Sequence, residues 1–67
     1  MGSRFEVVMK NGRPFLRHWH PIFKWQGGYE DRMIYGAKTD APYIKWNWEK
    51  LTLEDYMIDQ LRKLQAA

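Results

Sequence analysis

The dipeptide Asn11-Gly12, set between two runs of alternating apolar residues, constrains this chain more than any other feature. A two-residue hairpin loop of type I′ needs φ > 0 at both central positions, and Asn-Gly tolerates this better than almost any other pair. The turn therefore predicts a β-hairpin over residues 4–19 and fixes its register. Lys10 faces Arg13, Met9 faces Pro14 and Val8 faces Phe15; outward from these, Val7 faces Leu16, Glu6 faces Arg17, Phe5 faces His18 and Arg4 faces Trp19. Successive side chains leave opposite faces of a strand. One face then carries Phe5, Val7, Met9, Pro14, Leu16 and His18, and it reads as core. The other carries Arg4, Glu6, Val8, Lys10, Arg13, Phe15, Arg17 and Trp19, which amounts to four cations, one acid and two large aromatics.

That second face admits two readings. In the first, Arg4, Lys10, Arg13 and Arg17 meet phosphates while Phe15 and Trp19 stack on bases or wedge at a base step. In the second, the same residues satisfy one another: Arg4 stacks on Trp19, Glu6 pairs with Arg17, and Val8 with Phe15 forms a cross-strand pair. A partner protein is a further candidate for this face, because Trp, Tyr and Arg are the residues that most often anchor interfaces. Trp25, Tyr29, Tyr35 and Tyr43 are rings that serve either the core or such a contact.

Other chemistry is sparse. His18-Trp19-His20 puts two imidazoles at i and i+2, but a zinc site needs further ligands and none stands at a recognisable spacing, so no metal or other cofactor is expected. Glu30, Asp31 and Asp40 are carboxylates that nothing positions for acid–base work. Ser3 is the single serine, and Gly27-Gly28 precedes Tyr29 and two acids that would repel a phosphate. Catalysis is therefore not expected.

After the hairpin, Pro21 is expected to end the second strand, since it has no amide hydrogen and restricts His20 before it. Residues 22–25 form either a short strand or a bridging segment, and Gln26-Gly27-Gly28 is expected to turn. Residues 32–49 make a second strand region: Arg32 to Tyr35 as a short strand, a polar loop to Pro42, then an alternating run that puts Ile44, Trp46 and Trp48 in the core and Tyr43, Lys45, Asn47 and Glu49 outside. Residues 52–65 read as a C-terminal helix. Thr52 is the expected N-cap, Leu51 the staple to Tyr56, and Leu53, Met57, Leu61 and Leu64, with Tyr56 and Ile58, the apolar stripe.

These elements predict an α+β domain: a small antiparallel sheet of four or five short strands with one C-terminal helix across it. That order resembles SH3-like β-barrels with a terminal helix, among them small archaeal DNA-binding proteins and chromodomains. Tyr43-Ile44-Lys45-Trp46 is similar to the Tyr-x-Val-Lys-Trp strand of chromodomains. The resemblance is architectural, and it implies a partly open barrel and not a function.

The 67 residues make a single domain near the lower size limit for an unaided hydrophobic core. Without cysteine, neither disulfides nor thiolate metal sites can supplement it, which leaves eleven aromatics, four of them Trp, and association with a second chain. A homodimer is compatible with either reading of the binding face. Cysteine absence and the lack of an apolar run of membrane-spanning length fit a cytoplasmic protein with no membrane partner; Met1-Gly2-Ser3 is either native or a remnant of expression. The net charge of +3 is uneven. Residues 1–38 hold seven Lys or Arg against three acids, and residues 39–67 hold four against five. Together these features lead to the expectation of a non-enzymatic interaction module that binds DNA or RNA through Arg4, Lys10, Arg13, Phe15, Arg17 and Trp19. The alternative is a small accessory or inhibitor of phage or mobile-element type that docks on a larger protein.

Overall fold

The computed structural model describes residues 4–23 and 26–66; Met1-Gly2-Ser3, Lys24, Trp25 and Ala67, and the side chains of Arg4 and of residues 20–23 and 26–27, lie outside the described residues, and with them part of the expected segment 22–25. Five strands and one helix follow in chain order: β1 (Arg4–Lys10), β2 (Arg13–Phe23), β3 (Gln26–Met33), β4 (Tyr43–Trp46), β5 (Glu49–Thr52) and α1 (Asp55–Ala66). The class is α+β, with antiparallel strands and one C-terminal helix. The strands form two sheets, β1-β2-β3 and β4-β5, joined by a bridge between Tyr35 and Tyr43 whose amides and carbonyls exchange bonds of 2.8 and 3.0 Å. Among the described residues no pairing closes these strands into a barrel.

Asn11 and Gly12 take φ of 54° and 76°, and the β1–β2 register runs from Lys10 opposite Arg13 to Arg4 opposite Trp19, as the turn predicts. Val7 and Leu16 point inward and are buried with Ile34, Ile44, Leu53, Met57 and Leu61. Each such side chain contributes about 1.5–3 kcal/mol by leaving water, so this short set carries much of the stability. Met9 belongs to the same face but is exposed, because it sits one residue from the hairpin tip, where the other elements no longer cover the sheet. Helix α1 lies along β1, and the β1 amide of Val7 donates to Gln60 Oε1 at 3.0 Å. An edge-strand amide thereby finds a partner without a further strand.

Several local expectations are corrected. Strand β2 does not stop at Pro21 but continues to Phe23, with His20 opposite Gly28 and Pro21 opposite Gly27. Among the described residues Pro21 lies past Trp19, the last β2 residue paired with β1, and it lies beside a register shift, both places where a strand tolerates a missing amide. Gln26, Gly27 and Gly28 are consequently strand residues and not a turn. The run after Tyr43 is not one strand: Asn47 and Trp48 form a second hairpin turn, both with positive φ, so β5 folds back on β4 and Trp48 is exposed instead of buried. Finally, Thr52 is a β5 residue opposite Tyr43 and does not cap the helix. The Glu54 carbonyl accepts the first helical amides, those of Met57 and Ile58, each at 3.0 Å. Leu51 and Tyr56, the expected staple, are both exposed, as is Leu64 near the helix end.

Candidate binding face

The outer face of β1-β2-β3 is built by alternation. Strand β2 is central, so each of its outward residues has a neighbour on both sides: Phe15 lies between Val8 and Met33, Arg17 between Glu6 and Asp31, and Trp19 between Arg4 and Tyr29. Lys10 and Arg13 close the face at the hairpin tip. The structure therefore puts Lys10, Arg13, Phe15, Arg17 and Trp19 on one surface; Arg4 joins it by register, its side chain lying outside the described residues.

Strand β3 adds three residues that sequence reasoning did not assign to this face, Tyr29, Asp31 and Met33. Arg17 donates from Nε to Asp31 Oδ1 at 3.0 Å and from Nη2 to Oδ2 at 3.2 Å, and Lys10 Nζ donates to the same Oδ2 at 2.9 Å. The reading in which these residues satisfy one another pairs Arg17 with Glu6 instead. A two-pronged guanidinium–carboxylate pair explains the choice of Asp31, since both nitrogens find oxygens in one plane. Hydrogen bonds from Arg17 and then Lys10 lower the Asp31 carboxyl from 3.8 to about 2, against the opposing effect of its partial burial. The bond to Asp31 in turn raises the Arg17 guanidinium above its ordinary value.

The rings are tied into the same lattice. Lys10 Nζ sits 5.0 Å from the centre of the Phe15 ring, and the Arg17 guanidinium 4.9 Å from that of Tyr29. Trp19 and Tyr29 meet edge to face at 4.8 Å and 61°, and Tyr29 leaves 64 % of its area to solvent. Arg13 is exposed and has no carboxylate partner among the described residues. The surface thus combines an open aromatic pair with three cations, two of which share one acid.

The remaining polar clusters have structural roles. His18 stacks on Phe5 at 4.5 Å and 7° and tilts against Trp46, while the Arg32 guanidinium lies 3.7 Å over Trp46 and bonds Glu30 at 2.6 Å. These contacts fasten β4 to the inner face of the first sheet. Among the described residues no group of three or more His, Cys, Asp or Glu is arranged to hold a metal ion, and no helix is long and apolar enough to cross a membrane. A shallow groove of about 260 Å³ runs between β1 and α1, lined by Glu6, Val7, Gln60, Lys63 and Leu64. It is smaller and more open than the pockets that enclose small ligands.

Fold and face together define a small α+β domain that presents an aromatic, cation-bearing sheet surface. No family model matches the sequence, and no curated protein or solved structure is significantly similar to it.

Proposed function

We propose that this protein is a non-enzymatic nucleic-acid-binding module that uses the outer face of β1-β2-β3, with unpaired strands as its preferred ligand. The observation that carries this reading is the solvent-open Trp19–Tyr29 pair held beside Arg17, with Arg13 further along the same face at the hairpin tip. Unpaired bases stack on exposed rings, while cations at the margin meet the phosphates between them. Lys10, Arg13 and Arg17 fill the second role, and Trp19, Tyr29 and the half-buried Phe15 the first. Phosphate contacts dominate such binding and discriminate little between sequences.

The test is a titration of labelled single- and double-stranded DNA and RNA at two salt concentrations, with Arg13→Ala/Arg17→Ala as the control. Affinity should fall with salt at a log–log slope of about −0.7 per phosphate contacted on a single strand, and the double substitution should flatten that slope by about one to two contacts. A complex insensitive to salt contradicts the reading. One observation favours a second one, an accessory or inhibitor that docks on a larger protein: Asp31 neutralises part of the charge of Lys10 and Arg17. Absence of oligonucleotide binding at low salt, with one protein recovered stoichiometrically from extract, would support that alternative.

A further inference from the structure

The two hairpin turns of this chain differ at one telling position. Asn11-Gly12 takes φ of 54° and 76°, and Asn47-Trp48 takes 49° and 71°. Both turns thus need left-handed backbone at their second residue, where glycine is unstrained and a bulky side chain crowds the following carbonyl. The first hairpin uses glycine there and the second uses the largest side chain available. Among the described residues no contact compensates. Trp48 is fully exposed, at 103 % of its reference area, and it touches no other ring or cation among the described residues. Trp19 and Trp46, by contrast, are held against Tyr29 and Arg32. Strain at a position with no internal use points to an external one.

The surroundings say what kind. Lys45 and Lys50 pair across the hairpin one step beyond the Trp46–Glu49 pair that adjoins the turn, and their ammonium groups lie 4.8 and 5.1 Å over the rings of Tyr35 and Tyr43, which stack on each other at 5.5 Å. Neither lysine has a carboxylate partner among the described residues, unlike Lys10 and Arg17 with Asp31. Glu49 pairs with Trp46, which puts it on the opposite face of the ribbon from Lys45 and Lys50. A protein pocket that grips a tryptophan is sealed by further close contacts around the ring. Here Asn47 and Glu49, the chain neighbours of Trp48, and Lys50 are all exposed and polar.

We propose that the β4–β5 hairpin is a second contact site for single-stranded nucleic acid, with Trp48 stacking on a base and Lys45 and Lys50 meeting the adjacent phosphates. The proposal rests on the outer-face reading and extends it to a separate element. The experiment measures the affinity of the whole protein for a labelled oligonucleotide of about 20 nucleotides, long enough to reach more than one contact. Trp48→Gly is the informative variant, because it turns the second hairpin into an Asn-Gly turn and so removes the ring while relieving the strain. Trp48→Gly is expected to weaken binding roughly tenfold, Trp48→Phe to keep most of the affinity, and Lys45→Ala/Lys50→Ala to flatten the salt dependence by about one to two contacts. If Trp48→Gly binds like the wild type while Arg13→Ala/Arg17→Ala loses affinity, the hairpin site is overturned and the outer face stands. If the wild type binds no oligonucleotide at low salt, both fall together.

Discussion

Asp31 is the residue on which structure and binding pull in opposite directions. It holds Arg17 and Lys10 in place, and it also cancels part of their charge. Folding lowers its carboxyl from 3.8 to about 2, so the carboxylate stabilises the folded state fully above the unfolded value and loses that effect as the pH falls through about 2. The contribution at neutral pH is at most about 2.5 kcal/mol, an upper bound because solvent screens the exposed Lys10. Asp31→Asn should therefore lower the urea midpoint at pH 7, with the gap to the wild type closing between about pH 4 and 2. The same variant should bind oligonucleotide more tightly and with a steeper salt dependence, since the outer face gains one net positive charge. Trp48 makes the complementary prediction. Trp48→Gly removes left-handed strain worth about 1–2 kcal/mol, so its urea midpoint should rise even as its affinity falls. A variant that is both less stable and equally active would refute the idea that this ring is kept for a ligand.

At the scale of elements, α1 is anchored at two points beyond its buried Met57 and Leu61. Gln60 takes the Val7 amide, and Arg62 donates to the carbonyls of Ala37 and Thr39 at 2.6 Å each, with Gln65 reaching Ala37 as well. The loop from Gly36 to Pro42 is thereby tied to the helix. Arg62→Ala should cost about 1–3 kcal/mol, as expected for hydrogen bonds from a charged donor, and amide exchange should accelerate in residues 36–42 before it does in β1 and β2. The uneven legibility of these elements in the sequence has physical causes. The first hairpin could be read residue by residue because Asn11-Gly12 admits essentially one turn type. The second was hidden, because Trp48 at positive φ breaks the rule that makes turns visible, and Tyr43 to Glu49 alternates like a continuous strand. Pro21 and Gly27-Gly28 misled for a related reason: each is a strand breaker in isolation, but paired opposite one another at the end of a sheet they cost little. Thr52 looked like a cap since nothing local distinguishes a capping threonine from a last strand residue hydrogen-bonded across a sheet.

Across the whole molecule, fold class was more legible than the site. Apolar alternation and helical spacing report burial directly, so Val7, Leu16, Ile44, Met57 and Leu61 could be placed inside from the pattern alone. The outer face was only half legible. Its β1 and β2 residues followed from the turn, whereas Tyr29 and Asp31 arrive through β3, whose pairing with β2 depends on long-range register that no local signal encodes. Those two residues change the character of the surface, adding an exposed ring and neutralising charge. The measurement that tests the account most directly is a two-dimensional nitrogen–proton spectrum of the tryptophan indoles during titration with a single-stranded oligonucleotide at low salt. The account predicts that the Trp19 indole signal shifts progressively to saturation, while that of Trp46, covered by Arg32, moves least. A Trp19 signal that stays in place while the oligonucleotide is demonstrably bound, or a spectrum that does not change at all, would contradict it.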